Sequence, residues 1–183
     1  MKILADDYLT RVQGLLDELG VPQDLCAGRT LAVQEEAQEL ELVERGENGR
    51  EYLLIPSAAA AWRAMSAAAA ADGVALRIVS AFRSVDRQAE IVREKLARGL
   101  TLDAILSASA PPGYSEHHTG RAIDIGVPGA PPLEEDFEDT EAFRWLTENA
   151  GRFGFVLSYP RDNPQGYVYE PWHWCYRPSG NNV

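Results

Sequence analysis

Leu9, Val12, Leu15, Leu16 and Leu19 recur at helical spacing, and Gly20 and Pro22 close the segment, so the pattern predicts a helix over residues 3–19. The period then changes. In LELVERGENGREYLLIP, apolar and polar positions alternate on both sides of Gly46-Glu47-Asn48-Gly49, which predicts a hairpin ending at Pro56. The run from Ala58 to Ala71 reads as a helix capped by Ser57 and stopped by Gly73; it carries Arg63 and is too short for a membrane segment. VALRIVSAF, residues 74–82, is β-branched and apolar, the composition of a central strand. A helix capped by Ser84 or Asp86 follows and ends at Gly99, and a shorter one over 101–109 meets the breaker APPG. A strand over 121–127, a Pro-rich then acidic loop, an amphipathic helix from Thr140, and strands over 154–159 and 166–177 complete the chain. Helices and strands interleave without a βαβ rhythm, so the predicted class is α+β: a mainly antiparallel sheet with helices packed against it. Residues 1–56 read as an N-terminal helix and hairpin packed on a larger unit, 57–183.

Length and charge narrow the possibilities. A chain of 183 residues suits one domain or one with a small appendage, and has enough residues for a sizeable core. Its net charge of −11 repels a phosphate backbone and disfavours anionic lipid, so nucleic acid is not an expected partner. Cys26 and Cys175 lie far apart in sequence and specify no disulfide framework. Asp6 and Asp7 interrupt the apolar run that an export signal needs, so the sequence as written reads as cytoplasmic. Oligomeric state has no signature.

The chemistry lies in three histidines. His117 and His118 are adjacent in GYSEHHTGRAIDIG, ahead of Asp124, and His173 lies in YEPWHWCY, three residues after Glu170. Two imidazoles and a carboxylate are donors that Zn(II) accepts at a site with three protein ligands and one open position, and a nearby carboxylate supplies acid–base chemistry. Spacing does not force convergence, and ordinary loop and surface residues remain the alternative. Strand parity puts His173 and Cys175 on one face and Trp172, Trp174 and Tyr176 on the other; Pro171 is placed where the alternation can reset, so that Glu170 joins His173. Arg83 taken alone reads as an ion pair with Asp86, and Gln88 as a helix-surface residue.

Ser115, His117, Gly120, Ala122 and Asp124 form S-x-H-x-x-G-x-A-x-D, EPWHW forms E-x-W-H, and SAFRSVDRQ is similar to Y-R-S-x-x-x-Q with Phe82 in place of the tyrosine. In these three motifs and their order, the chain resembles the VanY-like metallo D-alanyl-D-alanine carboxypeptidases. The resemblance implies zinc held by His117, Asp124 and His173 in a cleft on the sheet, and Glu170 as general base and acid. It further implies Arg83 stabilising the oxyanion, and Gln88 and Ser115 orienting the peptide terminus. The implied substrate is a peptidoglycan peptide or precursor, with release of the C-terminal D-alanine from D-Ala-D-Ala. L,D-carboxypeptidase, L-alanyl-D-glutamate endopeptidase and a noncatalytic zinc-containing module are the alternatives. His118 occupies a variable position and is expected at the surface, and Cys175 is expected as a small buried hydrophobe.

Overall fold

The computed structural model describes residues 6–22, 24–46 and 49–178. The first helix, α1 (Asp6–Leu19), buries Val12, Leu16 and Leu19. Residues 3–5 of the predicted helix and the Glu47-Asn48 turn lie outside the described residues. A short α2 (Leu25–Gly28) precedes the hairpin of β1 (Glu41–Arg45) and β2 (Glu51–Leu54), which pair antiparallel. Helix α3 (Pro56–Ala71) starts two residues earlier than the Ser57 cap requires: Ile55 is its N-cap and Pro56 its first helical residue. Proline there lacks an N–H to satisfy and has its φ preset, so no capping hydroxyl is needed and Ser57 falls inside the helix.

Strand β3 (Arg77–Ser80) leads through residues 81–84 into α4 (Val85–Ala97). Of the two predicted caps, Ser84 is used: its Oγ accepts from the Arg87 amide at 3.1 Å. Helix α5 (Leu102–Ser107), strand β4 (Ala122–Gly126), helix α6 (Glu141–Asn149, capped by Thr140) and strands β5 (Phe155–Leu157) and β6 (His173–Tyr176) follow. The predicted strand over 166–177 is shortened to four residues near its end, His173–Tyr176. The reason is local: the Asn163 side chain donates to Tyr167 O at 2.8 Å and accepts from its amide at 3.1 Å, and the His173 amide bonds Glu170 O at 3.1 Å. Residues 163–172 are therefore folded into loop and turn.

The main sheet has the order β3-β4-β6-β5 with every pairing antiparallel, which is the predicted α+β class. On β4, Ile123 and Ile125 face a core shared with Trp62 and Met65 of α3 and Leu146 of α6. Alternation turns Ala122, Asp124 and Gly126 to the other side. A second core joins α1 to Val85, Ala89 and Val92 of α4 and to Ile105 and Leu106 of α5. Gly113 lies where α1 meets the segment leading into β4: its φ is +85°, and a Cβ there falls 2.5 Å from Val12 Cγ1. Gly113→Ala is expected to destabilise the protein by about 2–4 kcal/mol, combining left-handed strain with overpacking. A fall in the urea midpoint measures it; an unshifted midpoint refutes the tight approach.

Candidate metal centre

Asp124 and His173 are register partners on adjacent strands, and Ser80 of β3 is the register partner of Asp124 on its other side. Directly opposed residues of an antiparallel pair share a face, so the β4–β6 register brings carboxylate and imidazole together. Asp124 Oδ1 is 3.0 Å from His173 Nδ1, and Asp124 Oδ2 is 3.2 Å from His117 Nε2. His117 comes from the 3-10 turn Glu116–Thr119, which Ser115 caps and Gly120 ends in a left-handed conformation. One potential ligand atom from each of His117, Asp124 and His173 lies within 4.8 Å of the others, and all three residues are buried.

The far nitrogen of each imidazole is anchored. His117 Nδ1 is 2.8 Å from Ala81 O; a carbonyl can only accept, so Nδ1 carries the hydrogen and the Nε2 lone pair faces Asp124. His173 Nε2 is 3.0 Å from Glu116 Oε2, which leaves Nδ1 toward Asp124. Lone pairs and carboxylate oxygens thus point at one another across a buried space, an arrangement that requires a proton or a cation between them. Burial disfavours the His173 imidazolium, yet hydrogen bonds to Asp124 and Glu116 hold its pKa up at about 10. Burial likewise opposes charge on Asp124, but the two imidazoles outweigh it and hold its carboxyl far below the usual range. The donor set, two imidazole nitrogens and a carboxylate with orienting groups behind the histidines, fits a divalent ion such as zinc.

The centre opens into a cleft of about 970 Å³ whose lining includes Arg83, Ser115, His117, Tyr159, Glu170 and His173. A turn at 170–173, with Pro171 in it, brings Glu170 to the His173 side, 3.7 Å from Nδ1. Its carboxyl is pushed up to about 7, by burial first and with Asp124 adding to it. Arg83 pairs with neutral groups, Gln88 Oε1 at 2.6 Å and Ser80 Oγ at 3.3 Å, while Asp86 pairs instead with Arg11. Ser115 lines the cleft, and its Oγ accepts from the His117 amide at 3.3 Å. Gln88 does not reach the cleft: it is fully buried, one end accepting from Arg83 and the other donating to Ala110 O at 2.6 Å.

His118 is not at the surface. It has no exposure, Nδ1 lies 2.6 Å from Arg83 O, and Nε2 accepts from the Gly113 amide at 3.1 Å. Burial pushes its pKa down to about 4, which keeps the ring neutral and able to accept. Residue order does not reveal this, because the partners are backbone groups of distant segments. Glu116 was also missed; its place between Ser115 and His117 in the motif was the available signal. Cys175 is buried and free, as expected.

A family model described as VanY, D-alanyl-D-alanine carboxypeptidase, matches residues 51–179, and the chain belongs to that family. It is similar to the D-alanyl-D-alanine carboxypeptidase of Enterococcus faecalis (strain ATCC 700802 / V583), 39% identical over 119 residues that make up 60% of this chain and 42% of that protein. The chain spans less than half the length of the curated relatives it matches. Among solved structures it is similar to the LD-carboxypeptidase LdcB, with a TM-score of 0.68 and 32% identity over 78% of this chain and 70% of that one. It is also similar to the vancomycin resistance D,D-pentapeptidase VanY in complex with Zn(II), with a TM-score of 0.61 and 33% identity over 81% of this chain and 87% of that one.

His118→Leu leaves the Gly113 amide and the Arg83 carbonyl without their partner and is expected to cost about 2–4 kcal/mol, whereas His118→Gln, able to accept and donate, loses less than half as much. Equilibrium urea unfolding of both variants measures this, and equal losses would remove the bridging role.

Proposed function

We propose that the chain is a zinc-dependent peptidase that releases the C-terminal D-alanine from D-Ala-D-Ala peptides of peptidoglycan or its precursors. The observation that carries this reading is the convergence of His117 Nε2, an Asp124 oxygen and His173 Nδ1, with Glu170 beside them in the cleft. Zinc(II), when held by these three side chains, supplies Lewis acidity toward a carbonyl oxygen and lowers the pKa of water.

The remaining chemistry belongs to the chain. Glu170, whose carboxyl titrates near neutrality, takes a proton from the attacking water and returns it to the leaving amine. Arg83, half-buried and hydrogen-bonded to the neutral side chains of Gln88 and Ser80, meets the negative charge that develops on the scissile carbonyl oxygen. Gln88 fixes the Arg83 guanidinium from behind, and Glu116 fixes the His173 ring. Ser115 faces the bound peptide. The similarity to an LD-carboxypeptidase puts tetrapeptides on the test panel beside D-Ala-D-Ala peptides. No helix among the described residues is long and apolar enough to cross a membrane.

Glu170→Ala is expected to keep zinc and to lose D-alanine release by about 10²- to 10⁴-fold, read by mass analysis of products from a panel of D-Ala-D-Ala and tetrapeptide substrates. Unchanged turnover eliminates Glu170 as the base. Two variants test the metal assignment by chelator competition. His173→Ala is expected to lose bound zinc, and Glu116→Ala to weaken it by about 10- to 100-fold, since an anchored imidazole is the better ligand. Parent-like affinity in both overturns it.

A further inference from the structure

The substrate assigned above carries two negative charges at the reacting end: one that develops on the scissile carbonyl oxygen, and the fixed charge of the free C-terminal carboxylate. The α4 side of the cleft carries Arg83 just before the helix and then Arg87, Ile91 and Lys95, spaced by four so that they share a helix face. Arg87 is already neutralised by Glu90 and Glu94, both at 2.9 Å. Arg83 and Lys95 meet no carboxylate among the described residues. Two cations that make no ion pair among the described residues, both attracted by Glu170 and Arg83 also by Asp124, line one wall of the cleft and correspond in number to the two anionic centres.

A lysine in the last turn of a helix has an ordinary role, since its charge is favoured by the helix dipole and it extends into solvent. Lys95 departs from that in three ways. It is half-buried, and its Nζ donates to Ser109 Oγ at 2.6 Å. Its ammonium form is also disfavoured, by burial first and then by Arg83, so an incoming anion relieves both. Glu170 acts on the same ammonium from across the cleft, so Lys95, Arg83 and the proposed base share one electrostatic field. Of the two residues assigned from sequence to the peptide terminus, Gln88 is buried with both ends of its amide hydrogen-bonded, and Ser115, which does line the cleft, carries no charge to meet a carboxylate.

We propose that Lys95, held by Ser109, receives the free C-terminal carboxylate of the substrate and so selects the last peptide bond of a chain over an internal one. The proposal rests on the reading of the cleft as a carboxypeptidase site. Lys95 is a specificity residue and takes no part in proton transfer.

The test uses the zinc-loaded chain with an N-acylated D-Ala-D-Ala peptide, as the free acid and as the C-terminal amide. Calorimetric titration is done in a Glu170→Gln background, and steady-state kinetics in the parent background. Lys95→Met is expected to weaken free-acid binding by about 10-fold or more and to raise KM similarly with a smaller change in kcat, since a charge-assisted hydrogen bond is removed. Binding of the amide is expected to change less than 2-fold, and Lys95→Arg to restore most of the free-acid preference, by analogy with other cationic carboxylate receptors. Equal weakening toward acid and amide, or no change toward either, overturns the assignment while leaving the carboxypeptidase reading intact. A parent chain that binds neither form overturns both. If Lys95→Met does not fold, Ser109→Ala carries the same acid-against-amide comparison.

Discussion

The site depends on one line of cross-strand register. Ser80, Asp124 and His173 lie side by side across β3, β4 and β6. A slip of one residue between β4 and β6 sends Asp124 toward the Ile123 and Ile125 core and carries His173 away from it, because side chains alternate with a period of two. The apolar half of β4 therefore protects the polar half: the buried contacts of Ile123 and Ile125 with α3 and α6 hold the register that makes the Asp124–His173 pair. Burying three ionisable groups costs free energy unless each is paired. The carbonyl of Ala81 behind His117 and the carboxylate of Glu116 behind His173 meet that demand, and they also fix which nitrogen of each ring faces Asp124.

The loops around this line are held from the chain before residue 51, outside the family match. The Gln34 amide bonds Gly113 O at 2.7 Å, the Ala37 amide bonds His118 O at 2.8 Å, and Glu36 Oε2 accepts from the Val85 amide at the start of α4 at 2.8 Å. Arg29 does more than support one loop. Its Nε donates to Gln165 O at 2.7 Å and its Nη1 to Leu106 O at 2.6 Å, which ties the 163–172 loop to the end of α5 beside the Val168–Ser107 backbone bond. Its guanidinium lies 4.3 Å from the centre of the Tyr167 ring. Tyr167 then packs on Tyr159 at 4.8 Å and Tyr159 on His173 at 4.6 Å. A cation, two phenol rings and an imidazole thus form a continuous run of contacts from the N-terminal segment to the centre, the two phenols meeting edge to face, each contact adding attraction beyond area burial.

What could be read from residue order follows from how local each cause is. Helix periods, the Ser84 and Thr140 caps and the β-branched run of β3 are local, and the structure contains them. His117, Asp124, Glu170 and His173 were legible because histidine is rare in the chain and all four residues fall in motifs, although the distances between them come only from folding, with sheet register setting the Asp124–His173 pair. Alternation misled at 166–172: YVYEPW has the period of a strand, but Asn163 bonds the Tyr167 backbone and Pro171 has no amide to give a ladder. His118 and Gln88 were illegible for a different reason. Their partners, Arg83 O, the Gly113 amide and Ala110 O, become neighbours only after folding, and no side-chain pattern marks a backbone group.

His173 has a carboxylate on each side, and their environments separate them. Glu116 accepts from its Nε2 at 3.0 Å and from Arg177 at 2.8 Å; burial opposes its charge, but these partners hold it down at about 2, so it is ionised throughout the neutral range. Glu170 lies 3.7 Å from the Nδ1 side, beyond hydrogen-bond reach, and burial moves it to about 7. A group fixed as an anion can orient a ring but cannot carry a proton back and forth, whereas one that titrates near neutrality can do so at little cost in either direction. The division of labour in the proposed mechanism therefore follows from which carboxylate is hydrogen-bonded. Exchanging their environments, and not their residue types, is what would exchange their roles.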